Sequence, residues 1–140
     1  MQARVLRFAT PGGPDVLKEE SVTLPEPAAG EVRVRQTAIG LNYLDVYHRS
    51  GFYPLPVPSG AGSEAAGVVD SIGEGVAGMR AGDRVAYAGG APGAYASHRN
   101  VDAARLVAIP DAVSDDVAAA VMLKGMTVEY LLNRCHAVKP

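Results

Sequence analysis

The chain has 140 residues, 48% of them hydrophobic and 20% charged, and a net charge of -2. That length holds one domain with a real core, the balance excludes a disordered tail, and the near-neutral charge excludes the basic face that nucleic acid requires. No apolar run reaches the roughly 18–20 residues of a membrane span, Met1 opens a charged stretch rather than a secretory signal, and the lone Cys135 fits a reducing cytoplasm.

Sixteen glycines and ten prolines with few aromatics point to a mainly β chain of short strands and turns. A first strand is expected over Gln2 to Ala9, stopped by Pro11-Gly12-Gly13-Pro14, with a partner over Val16 to Thr23. From Glu31 to Ile39 the residues alternate, with Val32, Val34 and Ala38 on one face and Arg33, Arg35 and Thr37 on the other. Gly40 ends that strand, and Asn42 stands at the N-cap of a short helix, Tyr43 to Arg49, with Asp45 in its first turn. Ser50-Gly51 closes the helix, and Pro54, Pro56 and Pro58 hold an extended loop. Glu64 to Ile72 reads as a strand whose small residues admit another backbone, and shorter strands follow at Arg84 to Ala88, Ala94 to His98 and Arg105 to Ile109. This is the spacing of a barrel or sandwich.

After Pro110 the texture changes. Ser114 caps a helix over Asp115 to Leu123, Gly125 is expected to break it, and Met126 to Cys135 reads as a second apolar helix. That last helix needs an apolar partner, and the expectation is that a further domain supplies one, with 1–122 forming the first domain and 123–140 the start of the second. Two glycine patterns imitate a dinucleotide fingerprint. Gly73 to Gly78 follows a strand but is succeeded by turn residues, and Gly60 to Ala65 leads into a strand. Neither opens a helix whose N-terminus could take a pyrophosphate.

Several segments in order, GGPDVL (12–17), AIGLNYLDVYHRSGFYP (38–54), PSGAGSEAAGVV (58–69), SIGEGVAGMRAGDRV (71–85), GAYASH (93–98) and LKGMTVEYLL (123–132), resemble the quinone oxidoreductase branch of the medium-chain dehydrogenase/reductase superfamily. The resemblance implies a GroES-like, partly open β-barrel ending in one or two helices that lead toward a Rossmann domain. It implies a homodimer in the full-length protein and hydride transfer from NADPH to a small quinone, with no nucleic acid and no membrane as partner. An alkenal or enoyl reductase and a non-catalytic GroES-like interaction module are the alternatives. Zinc-dependent relatives carry Cys where this chain has Asn42 and His where it has Ser63, and their third ligand, a Cys near Met122 to Leu123, is missing. An amide and a hydroxyl do not replace a thiolate and an imidazole, so no zinc is expected.

By the same resemblance Tyr47 meets the nicotinamide end of NADPH, and Asn42, Asp45, Arg49 and Tyr53 line the same cleft. Lys124 and Thr127 touch nicotinamide or ribose. Tyr47, Asn42, Asp45 and Tyr53 stand as the catalytic set, and Tyr47, Asn42, Arg49, Lys124 and Thr127 as the cofactor-binding set. Each has a plainer reading: Asn42 as a cap, Arg49 as a helix-end cation, Tyr53 as loop packing and Lys124 as a solvated charge.

Overall fold

The computed structural model describes residues 1–136. Two antiparallel sheets form the body. The smaller has β1 (Gln2–Phe8) between β2 (Lys18–Thr23) and β4 (Ser59–Gly60). The larger runs in the order β7 (His98–Asp102), β3 (Glu31–Gly40), β5 (Glu64–Ile72), β6 (Arg84–Ala88), β8 (Val107–Ala108). The sheets do not close into a barrel, which agrees with the partly open, mainly β reading. Helix α1 (Tyr43–Ser50) joins β3 to β4, and α2 (Asp115–Glu129) follows the last strand. Among the described residues no helix is long and apolar enough to cross a membrane.

The first core cluster follows from the alternation in β3: Val32 and Val34 are fully buried and pack with Val69, Val85 and Tyr87. Ala38 breaks the expected face. A bulge between Gln36 and Ala38 opposes Gln36 to Gly67 and Ala38 to Ala66, and the extra residue turns the strand over. Ala38 therefore packs in a second cluster with Ala66, Ala86, Ala118 and Ala119, under α2. Arg33, expected on the solvated face, is buried because the β2–β3 loop covers it; its guanidinium donates to the Pro25 carbonyl at 2.6 Å and meets Glu26 at 3.3 Å.

Other expectations move. Val16 lies in a 3-10 turn, so β2 starts at Lys18. The strand expected at 94–98 is displaced to His98–Asp102, and the stretch before it makes only a single bridge, Val5 with Ala96. Ala103–Arg105 coils into a 3-10 turn, leaving two residues for β8. Gly125 does not break the helix: α2 is continuous from Asp115 to Glu129, passes through the 122/123 division, and runs on as a π-helical turn, Tyr130–Cys135. Alanines on both sides of the helix–sheet contact bring backbones close, and a glycine costs only about 1 kcal/mol inside a helix so anchored. The pattern at Gly73 to Gly78 sits in the β5–β6 connection, with Gly75 and Gly78 both at φ +77, as a turn requires.

The start of α2 is fixed by charge. The Ser114 hydroxyl accepts the Val117 N–H, and Asp115 accepts two bonds from Arg84, at 2.9 and 2.6 Å, and one from the Thr37 hydroxyl at 2.5 Å. The Thr37 bond, aided by Arg84 and opposed by burial, holds the Asp115 carboxyl below its usual range. Asp115→Asn is therefore expected to lower stability by about 2 kcal/mol at neutral pH, through charged hydrogen bonds and the helix dipole. A carboxyl with a depressed folded pKa stabilises above its unfolded pKa and loses that contribution as pH falls through the folded value. Urea titrations of the two proteins should accordingly converge below about pH 4; a constant difference down to acid pH would contradict this account.

Candidate active site

Six polar side chains from four separated segments meet at α1. Asn42, Asp45, Ser63 and Glu64 are all buried, and Glu64 has no exposed surface at all. Burial of that much polarity is tolerable only if every group is paired.

Glu64 is the hub of one half. Its Oε1 accepts the Asn42 Nδ2–H at 2.7 Å and the Lys124 ammonium at 2.8 Å, while Oε2 accepts the Leu123 backbone N–H at 2.7 Å. Lys124 also donates to Asn42 Oδ1 at 2.7 Å, so both ends of that amide are fixed in orientation. Gly40 makes the space: a Cβ there would run into the Ala119 carbonyl and the Glu64 side chain. Asn42 stands at the N-cap with extended backbone, and Asp45 reaches back to the Asn42 N–H at 3.0 Å, as in a capping box.

Asp45 is the hub of the other half. Oδ1 accepts the Ser63 hydroxyl at 2.7 Å, and Oδ2 accepts the Tyr95 hydroxyl at 3.0 Å. Burial, followed by the Asp45 charge and hydrogen bond, pushes the Tyr95 phenol well above its ordinary value, with Arg49 opposing. Tyr95 thus stays a neutral donor. Gly62, at φ +90, permits the arrangement, since a Cβ would strike the Tyr95 ring. Gly62→Ala should cost about 2–3 kcal/mol, from strain and overpacking. It should also let Tyr95 ionise at lower pH, read as tyrosinate ultraviolet absorbance against Tyr95→Phe. An unmoved titration would show that the ring is not held there.

Helix α1 and the loop after it also carry an exposed aromatic patch. Tyr47 is its centre, with ring centroids 5.0 Å from Tyr43 (edge-on), 5.0 Å from Phe52 and 5.2 Å from Tyr53. Tyr43 is 70% and Phe52 68% exposed, so these rings are not core. Rings left in water beside buried polar groups are suited to receive a flat, partly apolar ligand.

The structure thus brings Asn42, Asp45 and Lys124 into one network and Tyr47 and Tyr53 into one aromatic face. Arg49, whose charge reaches Tyr95, donates to the Gly12 carbonyl at 2.8 Å and latches the β1–β2 loop onto α1. Thr127 lies on the exposed side of α2 and donates to the Leu123 carbonyl at 3.0 Å. Sequence reasoning missed Tyr95, although GAYASH was among the matching segments, and missed Tyr43 and Phe52; the four-residue spacing of Tyr43 and Tyr47 on one helix was the available signal. Among the described residues no group of three or more His, Cys, Asp or Glu could hold a metal ion.

Comparison with known proteins agrees with this architecture. The chain is 50% identical over 136 residues to the quinone oxidoreductase of Salmonella typhimurium, covering 96% of the chain and 42% of that protein. It is 47% identical over 135 residues to the 2-haloacrylate reductase of a Burkholderia species, covering 92% and 40%. The solved structure of Escherichia coli quinone oxidoreductase complexed with NADPH superposes with a TM-score of 0.95 at 47% identity, over 98% of this chain and 42% of that one. The chain therefore spans about two fifths of the length of these relatives. Residues 28–111 match the alcohol dehydrogenase GroES-like domain, and with the fold and the sequence in agreement the chain belongs to that family.

Proposed function

We propose that the chain is the substrate-side domain of an NADPH-dependent quinone oxidoreductase that works without zinc. The observation that carries the reading is the Asn42–Lys124–Glu64 network at the start of α1, the helix that also bears the exposed aromatic patch, in a chain half identical to quinone oxidoreductases. The donor set does not suit zinc. The positions that bind it in zinc relatives hold an amide and a hydroxyl, and the Lys124 ammonium already lies between Asn42 and Glu64.

The residues do fit the nicotinamide end of a cofactor. Tyr47 offers a flat apolar face, Asn42 and Lys124 are fixed polar groups, and Arg49 and Thr127 complete the proposed cofactor-binding set. NADPH, when bound, supplies the hydride. The chain's part is positional. The four rings exclude water and hold an electron-poor ring flat, so that proximity supplies most of the rate. Adding a hydride to a quinone leaves a hydroquinone monoanion, and one proton, from solvent or from the Tyr47 or Tyr53 hydroxyl, completes the product. Asp45, Ser63 and Tyr95 keep α1, which carries Tyr47, at a fixed height above Asn42. The homodimer rests on the family resemblance, and the cytoplasmic setting on the lone Cys135.

A second reading has a specific support: the relative that is 47% identical is a 2-haloacrylate reductase, which acts on an activated alkene. Oxidation of NADPH by 1,4-benzoquinone and by 2-chloroacrylate separates the two, in the chain extended to the length of its relatives. Preferential turnover of the quinone is expected; turnover of the acrylate alone would overturn the quinone assignment.

A further inference from the structure

A groove of about 570 Å³ is lined by residues of both sheets, Leu6 and Glu19 from the smaller and Gln36 and Ile39 from the larger. Leu41, which precedes Asn42 in the chain, and Tyr95, whose hydroxyl is bound to Asp45, also line it and join it to the site. Arg4 and Glu19 are the charged residues of the lining. Leu41 is 75% exposed and Ile39 44%, an apolar surface adjoining the polar network rather than part of the core. The volume is that of a small-molecule site.

What the groove lacks identifies its occupant. Gln36 in its lining has no free hydrogen-bonding capacity of note: its amide donates to the Ala94 and Ala96 carbonyls at 3.0 and 2.6 Å and accepts the Tyr87 hydroxyl at 2.6 Å. The β1 backbone beside it is paired as well: the Leu6 N–H reaches the Tyr95 carbonyl, the Ser97 N–H the Arg4 carbonyl, and the Arg4 N–H the Ser97 hydroxyl. The two charged side chains of the lining, Arg4 and Glu19, neutralise each other at 3.6 Å in water. An anion would find no net positive charge here. A neutral aliphatic chain would cover apolar wall without stranding a polar group.

We propose that this groove receives the alkyl substituent of the substrate, making the preferred substrates ring-alkylated quinones. The inference rests on the quinone reading and names a subclass within it. Each methylene laid in the groove removes apolar surface from water, worth about two- to fourfold in affinity when part or most of it is buried. In the chain extended to its relatives' length, kcat/KM should rise by that factor per carbon along a series of 2-alkyl-1,4-benzoquinones, then level off once the groove is filled. Ile39→Asn should flatten the rise, and Ile39→Leu should keep it. Independently of turnover, methyl resonances of Leu6, Ile39 and Leu41 should shift on adding a decyl-substituted hydroquinone and stay in place with the unsubstituted one. The reduced ring is used so that the Cys135 thiol cannot add to it. A kcat/KM indifferent to chain length, or methyl shifts confined to other residues, overturns the groove assignment while quinone reduction stands. If no quinone is reduced, the functional reading fails, and the methyl shifts alone decide the groove.

Discussion

Replacing Lys124 with methionine should destabilise the protein by about 3 kcal/mol, the largest single effect expected at the site. Glu64 is wholly buried, and Lys124 is the only cation within bonding distance of it among the described residues. Removing the ammonium leaves a carboxylate with only the Asn42 amide and the Leu123 N–H, and an uncompensated buried charge costs about 3–5 kcal/mol. The lower end applies because half of the Lys124 side chain stays in water, which screens the pair. The sign of the pairwise term distinguishes this from a simple loss of packing. Glu64→Gln made in the Lys124→Met background should recover more than half of the loss, because a neutral amide can still accept the Leu123 N–H. Urea unfolding of the two single variants and the double variant supplies the cycle. Additive losses would mean that the two residues act separately.

Gly40→Ala should cost about 3 kcal/mol by the opposite route, adding atoms where none fit. A Cβ at Gly40 would lie 2.5 Å from Glu64 Oε1 and closer still to the Ala119 carbonyl and Glu64 Cγ. Two of these three belong to a fully buried side chain and the third is helix backbone, so none can move aside cheaply. Relief requires α2 to lift from β3, which stretches the Leu123 N–H to Glu64 bond. Hydrogen exchange at the Leu123 amide should quicken along with the loss of stability. Wild-type stability with unchanged exchange at Leu123 would show that the close approach of helix and strand is not required.

The parts of this protein that were legible in the sequence are those set by local pattern. Alternation in β3 located Val32 and Val34, and Ser114 with its acidic followers located the start of α2. Glycine-rich strings were recognised as turns because no helix followed them. What escaped depends on contacts distant in sequence. The bulge that turns Ala38 over is fixed by the pairing of β3 with β5, and the continuity of α2 through Gly125 by alanine contacts with β3, β5 and β6, all far back in the chain. The site divides in the same way. Tyr47, Asn42 and Asp45 fall within one motif and could be named from it. Tyr95 and Glu64 acquire their roles only when the 89–97 segment and β5 are folded against α1. Arg49 shows another side of this: its bond to the Gly12 carbonyl joins the β1–β2 loop to α1, a contact no local pattern announces.

One cation ties the amide to the carboxylate: the Lys124 ammonium binds Asn42 and Glu64 at 2.7 and 2.8 Å. The direct test is NADPH-dependent reduction of 1,4-benzoquinone by the chain extended to its relatives' length, measured after exhaustive chelation with the zinc content of the same sample determined. Undiminished turnover at far less than one zinc per chain is the expected result. Activity that disappears with the metal and returns on adding zinc would contradict the account at its root.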